Sequence, residues 1–355
     1  MNRRVLLGAI FAAVVTGAAA APGHAQSVKL KLVADGPAGS AAIRLLGEVF
    51  IPGVEALAGS AGGYKIEWTR AFGAGANTQG KGAFAEIQSG EADLALVDAG
   101  GQPDRFPLFQ VPLRAPFNGL TPGAMTPILA GLVDQAPEMR QPFHRYNQVM
   151  LAVTASGPWV LAGKFVMTGL DDLRGRKIGL PQAAAPLFWN TGAATLPAGE
   201  GEFAQGLAAG KFDAVLLPLA AAERLKPEDR IPHIADPGLG SLAAQALTAN
   251  KDRWDNLPKP VRDAIGASAR AYVLKLAAIR DETAARLRKS LLSQPGRYAR
   301  LSEAERKRWA DALPSLATDW TSAMKKEGEP GAVVLKAYLN GLAAAKASTP
   351  RDWSK

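Results

Sequence analysis

Cysteine is absent from all 355 residues. That removes thiolate catalysis, cysteine metal centres and disulfide cross-links together, so stability rests on packing. Histidine is almost as scarce. His24, His144 and His233 stand far apart, with no partner at metal-ligand spacing. Neither a GxSxG elbow nor an HExxH helix occurs, which leaves hydrolase chemistry without a nucleophile or a metal-bound water. Long apolar runs are missing beyond the N-terminus, where no stretch reaches the roughly 18 uninterrupted residues that span a bilayer. A basic stripe is missing as well. The formal charge is +9, but Lys and Arg after residue 250 alternate with Asp and Glu, as in RDETAARLRKS and SEAERKRWADA. This is the composition of solvated helix faces and argues against a nucleic-acid partner.

What is present begins with a leader. Arg3 and Arg4 precede an uncharged apolar run over residues 5–21, and small residues follow up to a cleavage point after Ala25. Residues 1–25 therefore read as a signal peptide, and the mature protein is expected in the periplasm. With 48% hydrophobic residues, the remaining chain has material for two cores.

Residues 28–34 (VKLKLVA) alternate as a half-buried strand and lead through Asp35-Gly36-Pro37 into a helical segment over 41–57. Strand 64–69, helix 83–88 and the buried strand 93–97 continue the alternation, which predicts a mostly parallel sheet. Ligand-facing groups in such a sheet lie beyond the carboxyl ends of its strands, where Asp35 and Asp98 fall. Prolines between 103 and 142 predict short helices and loops. A strand over 148–152 follows, and a second unit repeats the pattern: strand 177–180, a helix near 186–192, a helix over 201–209 and strand 214–217. After Pro260, apolar residues at helical spacing predict one helix of about 30 residues, ended by Gln294-Pro295-Gly296. Ser302 and Glu305 have capping-box spacing, and Pro314 should bend the helix they start.

The run GANTQGKG, residues 75–82, matches a phosphate loop as far as Lys81 and then fails. Gly82 stands where a hydroxyl must hold the metal, so a Gly-rich turn is the better reading. Trp159 follows Gly157-Pro158 before a strand, and Trp189 lies near the predicted 186–192 helix. Both are candidates for stacking on a ligand, and both suit a core equally well. Asp98 serves either as a cap or as an acceptor in a crevice.

FAEIQSGEADLALV, FPLFQVPLRAPF, LDDLRGRKIGLP, GEFAQGLAAGKFDAV and NKDRWDNLPKPVRDAI, in this order, resemble the solute-binding proteins of tripartite ATP-independent periplasmic (TRAP) transporters, dicarboxylate-binding (DctP) type. The resemblance implies an α/β fold of two lobes, similar to type II periplasmic binding proteins, with a long helix spanning both. Residues 28–153 plus about 242–290 would form lobe I. Residues 154–241 plus the C-terminal helices to 355 would form lobe II. It further implies a monomeric receptor with no catalytic activity and no cofactor, which delivers a small organic solute to permease subunits driven by an ion gradient.

The chain departs from that family at the implied site. An arginine that grips the solute carboxylate is expected in RGRKIGL, where Gly179 stands, and a second family arginine is replaced by Trp159. The asparagine of the DGxxN segment is also missing after Asp213. A simple dicarboxylate is therefore not the expected solute. With space opened at Gly179, the expectation is a neutral, amine-bearing or partly aromatic molecule met by Asp35, Asp98, Trp159, Gln182, Trp189 and Glu202, with Arg70 or Lys164 as a cation from another side. The other reading is a transport-inactive member acting as a ligand sensor or protein-interaction partner.

Overall fold

The strands sort into two sheets because the chain changes lobe three times, twice through strand crossings and once along a helix. A computed structural model describes residues 26–37, 39–73, 82–225 and 233–355; the leader and residues 75–81 of the Gly-rich run lie outside the described residues. The first sheet takes β1 (Ser27–Ala34), β2 (Lys65–Phe72), β3 (Leu94–Asp98), β4 (Gln148–Ala155) and β10 (Ala244–Asn250), in the order β2-β1-β3-β10-β4. The second takes β5 (Trp159–Gly163), β6 (Lys177–Leu180), β7 (Ala194–Pro197), β8 (Ala214–Pro218), β9 (His233–Asp236) and β11 (Tyr298–Arg300), in the order β11-β9-β5-β8-β6-β7.

Parallel pairing holds for β1 with β2 and β3, and for β6 with β7 and β8. It gives way at the strands adjoining the crossings: β10 is antiparallel to β3 and β4, and β5 to β8 and β9. A strand that enters from the other lobe arrives at the opposite end of the sheet, so the predicted parallel sheets are mixed. The two crossings are stitched together. Ser156 N donates to Ala243 O at 2.8 Å, Trp159 N to Gly240 O at 3.0 Å, and the buried Asn118 amide to Ser241 O at 3.2 Å.

The predicted long helix is present as Lys259–Leu292, 34 residues with Pro258 and Pro260 at its start. At a rise of about 1.5 Å per residue it is about 51 Å long. Val261, Ile265, Tyr272 and Leu276 pack into the core against the first sheet. Ala284, Leu287 and Leu291 belong to a separate core under the second. The largest core runs between them, joining Val97 and Val153 of the first sheet to Leu161 and Leu216 of the second, with Trp309 and Tyr338 of the C-terminal helices.

Three predicted helices differ for local reasons. The 41–57 segment contains a wide turn over Leu46–Phe50, where Ile51 N reaches back to Leu46 O. Pro52, which has no N–H and crowds the carbonyl four residues back, forces that widening. Around 186–192 the chain forms tight three-residue turns over Gln182–Phe188, since Pro186 cannot donate to an α-helical ladder. At Pro314 the chain does not bend one helix but ends Glu303–Ala312 and starts Leu316–Lys326. Ser302 Oγ caps Glu305 N at 3.2 Å, yet the Glu305 carboxylate does not complete the box; it accepts from Leu170 N at 2.8 Å.

Candidate functional site

The carboxyl ends of β1, β2 and β3 carry Asp35, Arg70 and Asp98, and Gln182 lies just beyond β6; all four are exposed. Asp35 Oδ2 accepts from Ala83 N at 2.9 Å, capping the helix Gly82–Ser89. Asp98 ends β3 with a side chain that solvent reaches although protein surrounds it, as on the floor of a crevice. Gly101 N donates to Asp98 Oδ1 at 3.0 Å, and a Cβ on Gly101 would lie 2.3 Å from Oδ2, so a larger residue there would push the carboxylate aside.

Arg280 of the long helix meets the same corner. It donates to Ala155 O at 2.5 Å and to Gln245 Oε1, and Gln245 lies opposite both Asp98 and Thr154 in the first sheet. One guanidinium thus clasps the end of β4 and the start of β10, the two strands that adjoin the crossings. Burial lowers its pKa to about 10, against the pull of Tyr272 and Asp98 toward the charged form. Arg280 and Gln245 were not among the predicted site residues. The signal was available: position 280 falls on the buried stripe of 272, 276, 284, 287 and 291, where a charge needs a partner.

Burial pushes the Asp98 carboxyl above the usual carboxylate range, outweighing the Gly101 amide, Arg280 and the Gly100 amide. An acid raised in this way binds its proton more tightly folded than unfolded. The associated stability is full below the ordinary carboxylate value and is lost as pH rises through the raised one. Asp98→Asn, which keeps an acceptor for Gly101, should therefore melt higher than the parent at neutral pH, with the gain shrinking as the medium is acidified. Paired thermal melts across pH check this, and a lower midpoint at neutral pH would mean that the Arg280 attraction dominates.

The second-sheet positions behave differently. Gly179 opens no space: a Cβ there would lie 2.9 Å from the Phe212 ring, and Phe212 is fully buried. β6 alternates, so Ile178 and Leu180 enter the shared core while Gly179 faces the ring on the other side. Trp159 is 6% exposed and its indole N–H is donated to Ser156 Oγ at 2.9 Å, so in this conformation it offers no open face. Glu202 is exposed and occupied at its own helix start, accepting from Gly199 N at 2.9 Å. Lys164 is exposed at the end of β5. Trp189 does not line the strand ends but a separate groove beside Trp320. The structure thus brings Asp98 to Arg280 and Gln245 and leaves Glu202 and Trp189 elsewhere.

No helix among the described residues is long and apolar enough to cross a membrane. No curated protein matches the chain. Among solved structures, a TRAP periplasmic solute-binding protein from Desulfovibrio salexigens is similar at 19% identity and a TM-score of 0.75, over 90% of this chain and 98% of that one. A marine-metagenome TRAP solute-binding protein in complex with 3-hydroxybenzoate is similar at 21% identity and a TM-score of 0.75, over 90% and 99%. An extracytoplasmic solute receptor of Bordetella pertussis binding pyroglutamic acid follows at 18% and 0.70, over 88% and 99%. At these identities the likeness establishes the two-lobe fold. The sequence profile of bacterial extracellular solute-binding proteins, family 7, matches residues 60–323, and the chain belongs to that family.

Proposed function

We propose that the chain is the periplasmic receptor of a TRAP transporter, closing its two lobes on a small organic solute and passing it to membrane permease subunits. Closure requires that the solute bind the closed form more tightly than the open one, and the crossing strands with the Arg280 clasp form the hinge about which the lobes turn.

The solute carries at most one carboxylate. The observation that carries this reading is the Phe212 ring lying against Gly179, which denies that position of β6 a cationic side chain. Trp159, at the other family arginine position, brings no charge. A second buried carboxylate would have no partner, at a cost of several kcal/mol, roughly two to three powers of ten in affinity. Asp98, Asp35 and Gln182 offer acceptors for a hydroxyl or amine, and Arg70 at the end of β2 offers a cation for a single acid group, since Arg280 is already engaged by Ala155 O and Gln245. The solved relatives seen with 3-hydroxybenzoate and pyroglutamic acid bind molecules with one carboxyl group, which supports the same limit here.

Isothermal titration of the mature chain against malate, succinate, 3-hydroxybenzoate, pyroglutamate and their uncharged amides tests the reading. The dicarboxylates should bind at least about 100-fold more weakly than the best member of the set. Submicromolar malate or succinate would overturn it.

A further inference from the structure

Trp189 is 50% exposed, an unusual position for the largest apolar side chain, and it lies in a groove of about 520 Å3 with Pro107, Pro186, Trp320 and Met324. None of Asp35, Asp98, Gln182 or Arg280 lines this groove, so it is distinct from the crevice at the strand ends. Its size falls in the range of about 300 to 1,000 Å3 common for small-molecule sites.

Two polar groups in it are unsatisfied. Arg114 is half-buried, and its guanidinium makes no hydrogen bond or ion pair with any described residue. Burial alone shifts its pKa, downward, with no neighbouring charge compensating. Gln110 is 1% exposed; its Nε2 donates to Gly100 O at 3.1 Å and to Phe106 O at 3.4 Å, while its Oε1 is buried without a partner. A flipped amide would set Oε1 against both carbonyls, so the orphan is the acceptor. The two residues are four apart in consecutive helical turns, which places an unpaired donor fork beside an unpaired acceptor. Asp104, Asp319 and Glu327 are exposed at the rim and make the surroundings repel a bare anion.

We propose that this groove is a second binding site, taking an α-amino acid with an apolar side chain. Arg114 holds the carboxylate by a two-pronged bond, Gln110 Oε1 and the acidic rim receive the ammonium, and the side chain lies on Trp189. Donor and acceptor side by side match the carboxylate and ammonium carried on one carbon. A carboxylate alone leaves Gln110 unsatisfied and meets the rim's repulsion. An amine alone leaves Arg114 unpaired.

The test follows the indole N–H signals of the mature chain by NMR while L-phenylalanine is added, with Trp189→Phe identifying the Trp189 signal. L-phenylalanine should move that signal, 3-phenylpropionate and phenethylamine should do so at least about 10-fold less effectively, and Arg114→Gln should weaken L-phenylalanine about 30-fold with the other indole signals retained. Trp189→Ala, followed by calorimetry, should weaken it about 10-fold. A Trp189 signal indifferent to L-phenylalanine, an unchanged affinity in Arg114→Gln, or equal response to 3-phenylpropionate would each overturn the proposal.

Discussion

Replacing Gly179 by arginine is expected to destabilise the protein by about 4 kcal/mol without creating a carboxylate grip. The new Cβ would start 2.9 Å from the Cγ and Cδ2 atoms of Phe212, a ring that has no room to withdraw. Gly206 presses on it from the adjacent helix, where a Cβ would come within 2.2 Å of Cε2. Phe203 meets it edge-on at 6.4 Å between centroids. An arginine entering here overpacks the core and carries a guanidinium into an apolar cluster with nothing to receive it. Denaturant midpoints of the parent, Gly179→Arg, Phe212→Ala and the double variant measure the effect. The cycle should show a favourable coupling of about 2 kcal/mol, because removing the ring creates the room the arginine lacks. An arginine variant as stable as the parent would show that the ring yields freely.

Asp236→Ala should cost about 3 kcal/mol, the lower end for breaking a buried ion pair because Arg288 keeps part of its exposure. Asp236 is 3% exposed at the end of β9. Its carboxylate accepts from Arg288 Nη2 at 3.0 Å and Tyr298 Oη at 2.7 Å through one oxygen, and from Gly238 N at 2.9 Å through the other. Truncation orphans all three donors where the chain begins its crossing back to the first sheet. Tyr298→Phe removes a single donor and should cost about 1 kcal/mol. Burial and the neighbouring Asp236 push the Tyr298 hydroxyl well above its ordinary value, so it holds its proton more tightly folded than unfolded. The matching stability is full below about pH 10 and is lost as pH rises beyond it, and Tyr298→Phe should blunt that alkaline loss. Chemical denaturation at neutral and alkaline pH measures both effects. A loss below about 1 kcal/mol for Asp236→Ala would mean that water already shares the carboxylate.

The strands β1 to β4, β6 and β8 and the long helix were legible because alternation and a helical stripe are local properties of the chain, whereas β7, β9, β10 and β11 were not read from the sequence. Asp98 at a strand end was legible for the same reason. The consequence of Gly179 was not. Parity places it opposite Ile178, but that Phe212 lies against it depends on β8 pairing with β6, a contact between distant segments. Trp159 read equally well as plate or core, and packing against the second crossing decided for core in this conformation. Glu202 stands three residues after Gly199, the same spacing that marked Ser302 and Glu305 as a cap, so its engagement at the helix start was within reach of the sequence. The turns over Gln182–Phe188 escaped because apolar residues outweighed Pro181 just before them and Pro186 within them.

A rod clamped at each end in a different block cannot stay straight when the blocks rotate. The helix Lys259–Leu292 is held by one core up to Leu276 and by another from Ala284, leaving about two turns between the clamps, with Arg280 and Asp281 in that span. Asp281 takes Gly123 N at 3.0 Å and Thr121 Oγ1 at 2.9 Å, next to the Arg280 contacts on Ala155 and Gln245. In the proposed closure, flexure would fall in this span, whose polar grips all belong to the first sheet and its helices. Elastic energy stored there in that motion would oppose closing and assist reopening.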